Sequence, residues 1–392
     1  MTTKKIISTL MFLLIVSVVQ AQLRQADTSS VYRSIIPEEK QELLKNIDMI
    51  ANMQMAFRAD YKDAELVEAL FKIEQFRLEI RGYVHKKVYF RFRHRYTSKF
   101  EPQSIDKIIK GVDFAYLRFD LSDRVQLTIG KTFADWGGIE FDMNPIDIYE
   151  YSDIIEQADN FLTGIGVYFQ ATDNHGFSFQ ILNSRTETFE EIYQGLPGLE
   201  ASKIPLAGVI NWRGSFADGK FTTLWSYSLF SEAKNTFKNY IALGNQLKLN
   251  KITIAYDFKW SMEDLDRTGL ISGDIPDDLY PYALENTLYY SNWLKFDYRF
   301  FEKWQFSFVG FIDQSKWLDD IDPQKTSDDW RTSYGYIPTI EYFPWDNLNL
   351  KFFVGYVGRI YNYSDYAKSR IGIEDYNTGR FMFGLISPLH IF

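Results

Sequence analysis

Residues 78–96 read LEIRGYVHKKVYFRFRHRY. Within it Val88, Phe90 and Phe92 alternate with Tyr89, Arg91 and Arg93, so one side of the segment is apolar and the other is charged. A period of two marks a strand, and the short link from Tyr83 to Lys86 joins it to a strand at 71–82. Arginines at alternate positions (Arg91, Arg93, Arg95) cannot point into hydrocarbon, which offers water to no polar group. They need a water-filled interior or a partner segment rich in acids. A strand apolar toward lipid and charged toward water is the building unit of a transmembrane β-barrel.

The same alternation continues outward from this hairpin. At 111–121, Ala115, Leu117, Phe119 and Leu121 alternate with Phe114, Tyr116, Arg118 and Asp120. At 252–262, Ile252, Ile254, Tyr256, Phe258 and Trp260 alternate with Thr253, Asp257, Lys259 and Ser261. Read in this way, residues 50–392 hold about sixteen antiparallel strands, and the fold class is all-β. Tight links fall at 83–86, 122–124, 172–175, 216–218, 250–251, 301–302 and 345–347. The connections between them are long, at 62–70, 98–110, 132–160, 184–204, 263–285, 315–332 and 361–378, with 232–236 the short exception. Long and short connections alternate when one rim of a barrel carries turns and the other carries external loops. Tyr and Trp gather near strand ends, as at Trp212, Trp260, Trp293, Trp304 and Trp345, which suits interfacial girdles.

Composition agrees with this class. Aromatic residues make up 17% of the 392-residue chain, yet the mean hydropathy is slightly negative. No stretch after the N-terminus approaches the ~18 apolar residues of a spanning helix. Residues 1–21 read as a secretory signal: Lys4 and Lys5, an apolar run from Ile6 to Val19, and a small-residue site at Val19-Gln20-Ala21. Residues 22–49 form a polar N-terminal segment on the periplasmic side. Within it Pro37 opens a short helix, PEEKQELLKNIDMI, whose apolar stripe is Leu43, Leu44, Ile47 and Ile50. The chain ends in FMFGLISPLHIF, a closing strand with the terminal Phe of exported barrels, although Pro388 and His390 interrupt its alternation. The partners expected are therefore the barrel-assembly machinery, outer-membrane lipid and lipopolysaccharide, with no nucleic acid.

Catalytic chemistry finds little support. There is no Cys and only four His, His85, His94, His175 and His390, too far apart for common metal-ligand spacings. The paired carboxylates Glu190-Glu191 and Asp319-Asp320 fall in solvated loops, and Gly137-Gly138 is a weak motif by itself. No cofactor or metal is expected. The formal charge is -9, and much of it lies in the external loops. Even so, the inner face is basic. Registration places Arg77, Arg81, Arg91, Arg93 and Arg95 on neighbouring strands, with Arg118 and Lys131 beyond them. These are the candidate pore-lining, anion-binding residues. Arginine suits the role because its charge persists and its fork grips oxyanions. The long 133–160 stretch that follows is acidic. If it folds inward as the third external loop, Asp135, Glu140, Asp142 and Asp147 oppose the basic wall across a constriction. The arginines would then either select anions or stiffen the wall by pairing with that loop.

LEIRGYVHKKVYFRFRHRY, LTIGKTFADWGGIEFDMNPIDIYEYSD and FLTGIGVYF, within 76–169, resemble the outer-membrane porins of Bacteroidota related to the phosphate-selective porin O and P family. Gly130-Lys131 and the Gly-Gly-Ile-Glu at 137–140 are the most specific pieces. The resemblance implies a sixteen-stranded barrel, usually a homotrimer, with the third loop in the pore and passive diffusion of small hydrophilic solutes or anions such as phosphate. Two other functions remain open. One is a non-selective or sugar-preferring porin, with Tyr89, Tyr116 and Tyr168 as a stacking surface. The other is a surface scaffold whose acidic loops bind a partner.

Overall fold

The computed structural model describes residues 46–97, 104–319, 325–346 and 348–391. The expected signal at 1–21 and most of the expected helix from Pro37 lie outside these residues. The end of that helix is corrected: Ile47 and Ile50 belong to the first strand, β1, Ile47–Lys62. Their spacing of three fits a helix. However, Ile50, Asn52, Gln54 and Ala56 are buried at alternate positions, and pairing on both sides overrides a local helical preference.

From β1 the chain continues through β2 (Glu65–His85), β3 (Val88–Arg95), β4 (Val112–Asp120), β5 (Val125–Phe133), β6 (Phe161–Thr172), β7 (His175–Asn183) and β8 (Ala201–Phe216). The second half comprises β9 (Phe221–Ala233), β10 (Thr236–Lys248), β11 (Ile252–Leu265), β12 (Glu285–Phe301), β13 (Trp304–Trp317), β14 (Asp329–Tyr342), β15 (Lys351–Tyr363) and β16 (Tyr376–His390). Each strand pairs with its chain neighbours, and β1 pairs antiparallel with β16 from Ile50↔His390 to Lys62↔Thr378, closing the barrel. Closure leaves no unpaired sheet edge within the membrane, as a lipid environment requires.

The alternation of long and short connections holds, with two corrections. The link at 62–70 is not a loop: Lys62 pairs with Glu65 across a two-residue turn at Asp63 and Ala64, with φ of 48° and 68°. Consecutive left-handed residues match the twist of a tight hairpin, and no Gly announced them. Conversely, the connection after β14 spans 343–350, longer than the turn expected at 345–347.

Outside, Ile129, Ile165, Ile181, Ile210, Val354 and Phe383 are all exposed. Such a belt would drive aggregation in water and costs nothing in lipid. The closing strand also has a definite parity. Phe381, Phe383 and Leu389 face out, while Met382 and Ile386 are buried inside. Pro388 pairs with Asn52 of β1 but lies past Ile386, where the β15 ladder stops. A missing donor is tolerated at such a position.

The lumen is not empty. Ala134, Trp136 and Ile154 of the 134–160 connection share one apolar cluster with Ile271 and Leu284 from the connection after β11 and with Tyr366 from the connection after β15. The third external loop is therefore folded into the barrel.

Candidate functional site: a basic cleft beside an inward loop

The inward loop is held by the far wall. Its first residues run along β7 to β10. The Asp135 N–H donates to Gln180 Oε1 (2.7 Å), Asn211 Nδ2 donates to the Asp135 carbonyl (2.9 Å), and Trp136 stacks near Phe230 (5.1 Å). A helical turn, α1 (Ile139–Asp142), follows. Its Ile139 and Glu140 N–H groups donate to the Asp257 carboxylate at 2.8 Å each. Gly138 makes this approach possible, because a Cβ there would sit 2.5 Å from the Asp257 carboxylate. Glu140 is fully buried and accepts from the Ser152 N–H (2.7 Å), the Ser152 hydroxyl (2.6 Å) and Lys259 Nζ.

Most of the other loop acids are paired with cations on strands around the barrel. Arg213 of β8 holds Asp135 (2.7 Å) and Asp142 (3.0 Å). Lys351 of β15 holds Asp147 (2.8 Å), and Arg380 of β16 holds Glu150 (3.1 Å). Asp153 opens the short helix α2 (Asp153–Glu156) and receives Arg331 (2.7 Å) and Arg359 (2.6 Å). Burial alone would push the Asp153 carboxyl up, but the Arg359 and Arg331 guanidiniums outweigh it and hold it below the usual carboxylate range.

The expected opposition of the loop acids to the basic wall is thereby corrected. Of Asp135, Glu140, Asp142 and Asp147, only Asp142 borders the cavity that the basic wall lines. The other three face cations on β8, β11 and β15. Arg213, Lys259, Lys351, Arg331 and Arg359 each sit at an inward position of a strand. The signal in the sequence was that parity, but isolated cations on scattered strands do not reveal which acid they meet.

The arginines of β2 and β3 face a cavity of about 750 Å³ on the near side of the loop. Arg77, Arg81, Arg91, Arg93, Arg95 and Lys131 all line it. It reaches from Lys110 and Glu187 near the long-loop rim to Arg81 and His390 near the other. Two acids are set into this wall. Glu79 accepts from Arg91 at 3.0 and 3.2 Å and lies 3.5 Å from Arg81. Asp113 accepts from Arg93 at 3.0 Å and lies 3.5 Å from Arg77.

Asp113 was missed because simple alternation turns it outward. A bulge pairs Arg93 with Phe114 and His94 with Val112, so Asp113 is the extra residue and rotates inward. Arg118 is the one candidate outside the cavity lining. It pairs with Asp120 (3.1 Å), donates to the Tyr83 hydroxyl (2.6 Å) and stacks over Tyr89. Lys131 is buried 3.6 Å from Asp106, and the Gly130 before it has φ of 128°. A Cβ on Gly130 would sit 2.4 Å from the Ala115 carbonyl oxygen, which explains the Gly-Lys pair.

Solved structures share this barrel. The outer-membrane channel DcaP of Acinetobacter baumannii superposes with a TM-score of 0.58 at 8% identity, covering 86% of this chain and 96% of that one. OprB of Pseudomonas putida gives 0.56 at 11% identity, covering 90% and 96%. A trimer form of OmpT from Vibrio cholerae gives 0.51 at 8% identity, covering 86% and 98%. At such identities the likeness concerns the fold alone. No curated protein matches the sequence. The family described as phosphate-selective porin O and P matches residues 47–384, from the first residue of β1 into β16. The chain belongs to that family and is an outer-membrane porin.

Proposed function

We propose that the porin passes small hydrophilic solutes by diffusion with a preference for anions, and that Arg77, Arg81, Arg91, Arg93, Arg95 and Lys131 line its conducting path. The observation that carries this is Arg77. It is buried, yet its Nε and Nη1 have no hydrogen-bond partner, and the side chain borders the cavity. A buried guanidinium left partly unsatisfied is costly unless water or a passing anion completes it. The loop acids support the same direction, because most are paired with cations on other strands, and around the cavity Arg77, Arg81, Arg91, Arg93, Arg95, Lys110 and Lys131 outnumber the loop acids Asp142, Glu156 and Asp159. Such a lining raises the local concentration of anions without trapping them.

Arg118, away from the cavity, is assigned to stiffening the strand ends. Export by the 1–21 signal and assembly as a homotrimer complete the proposal. The second rests on OmpT's trimer form, and the resemblance of 76–169 supports a Bacteroidota source. In a planar bilayer with a KCl gradient, the reversal potential should lie on the anion side, and Arg77→Glu should move it toward cations. A cation-selective wild type would refute the preference. Cross-linking in native membranes that yields no species above a monomer would refute the trimer.

A further inference from the structure

The wall is less open to a phosphate than its arginine content suggests. The guanidinium carbons of Arg91 and Arg93 both lie 4.1 Å from the centre of the Phe114 ring, so each plane is covered on one side. Part of their in-plane donor set is also committed to the wall's own acids. Arg91 gives Nε and Nη2 to Glu79, and Arg93 gives Nε to Asp113. A hydrated phosphate exchanges many water hydrogen bonds on entry and needs several free donors in return. The buried donors without a hydrogen bond on this wall include Arg77 Nε and Nη1 and Lys131 Nζ.

Aromatic and apolar side chains border the same cavity. Phe133 and Phe161 stand edge-on to Phe114, at 6.2 and 5.3 Å, and border the same cavity. From the inward loop, Tyr151 and Ile155 border it as well, and Tyr151 is within electrostatic reach of Arg77. A positive site in a cavity that aromatic rings also line matches a ligand with one anionic end and a flat body. Resting on the anion preference proposed above, we infer that the cleft favours organic monoanions, carboxylates or sulfonates carrying a flat apolar group, over inorganic phosphate. The head would meet Arg77, while the body would lie between the Tyr151 ring and the phenylalanines.

The test uses the full-length protein in planar bilayers, with sodium chloride on one side and sodium methanesulfonate, benzenesulfonate or phosphate on the other. The two sulfonates share a head group and stay charged at any working pH. In a featureless aqueous pore the larger benzenesulfonate is the less permeant. The expected result is a benzenesulfonate to methanesulfonate permeability ratio above one, with phosphate below both. Tyr151→Ser should lower that ratio by roughly 2- to 12-fold, the range that one aromatic stacking partner supports. Phe161→Leu, which keeps apolar bulk and removes the ring, should lower it too. A wild-type ratio below one, or a ratio unmoved by both variants, overturns the inference and leaves anion preference standing. A cation-selective reversal potential in sodium chloride alone overturns both.

Discussion

Lys259→Met is the sharpest test of what keeps the third loop inside the barrel. Lys259 is fully buried, hydrogen-bonds Glu140 and Ser152 (3.2 Å), and lies 3.8 Å from Asp257. Methionine retains most of the side-chain volume and deletes the charge. It leaves the Glu140 and Asp257 carboxylates buried side by side without their cation. Removing one partner of a buried ion pair costs about 3–5 kcal/mol. Here that cost falls on the closed position of the loop, because both walls of β11 remain paired with their neighbours. The equilibrium for loop release should therefore rise by roughly 150- to 5,000-fold. Two assays read it: single-channel recording, where conductance and current noise should both increase, and amide hydrogen exchange, where residues 139–156 should lose protection while the strands keep theirs. Adding Glu140→Gln removes one uncompensated charge, keeps an oxygen to accept the Ser152 N–H, and offers an amide N–H to the Ser152 hydroxyl oxygen. The double variant should recover a substantial part of the lost protection. Wild-type exchange at 139–156 in Lys259→Met would refute the account, as would a double variant that is worse than the single.

Three further outcomes follow from the same geometry. Changing Arg91, Arg93 and Arg95 together to Glu should move the reversal potential in a KCl gradient strongly toward cations, and no movement would take these side chains off the conducting path. Gly138→Val should weaken loop closure by about 1–3 kcal/mol through its clash with Asp257, read as raised conductance noise; a quiet channel of wild-type size would mean that the 2.5 Å approach is not needed. Acidification should act in two steps. Burial, together with Glu150 and Glu140 nearby, pushes the Glu156 carboxyl up from 4.5, so this cavity-lining acid gains its proton first and anion preference should rise as pH falls toward that range. The Asp153 carboxyl is held below 3.8, so its anchorage of the loop persists above its unfolded value and is lost only as pH falls further, through its folded pKa. Release of the loop near pH 6 would contradict this assignment.

The barrel was legible because its constraint is periodic. Val88, Phe90 and Phe92 against Arg91, Arg93 and Arg95 admit one arrangement in lipid, and the strands flanking them repeat it. The parts that escaped the reading depend on single departures from the period. Asp63 and Ala64 turn the first hairpin with left-handed residues that carry no glycine signature. Asp113 faces inward only because the β3–β4 ladder contains a bulge. These departures decide the electrostatics of the cleft. Without Asp113 and Glu79, the wall would be a dense excess of positive charge that could bind multivalent anions tightly. With them, Arg91 and Arg93 are braced and part of the wall's positive charge is offset. The loop follows the same logic: its acids and the basic wall are opposite in sign and close in sequence, yet only Asp142, Glu156 and Asp159 border the cleft. Arg213, Lys259, Lys351, Arg331 and Arg359 hold the other acids from strands outside that wall. The consequence is physical. A loop attracted to the basic wall would close the pore, whereas a loop held by other strands leaves a cleft whose charge is set by β2 and β3 and trimmed by Glu156.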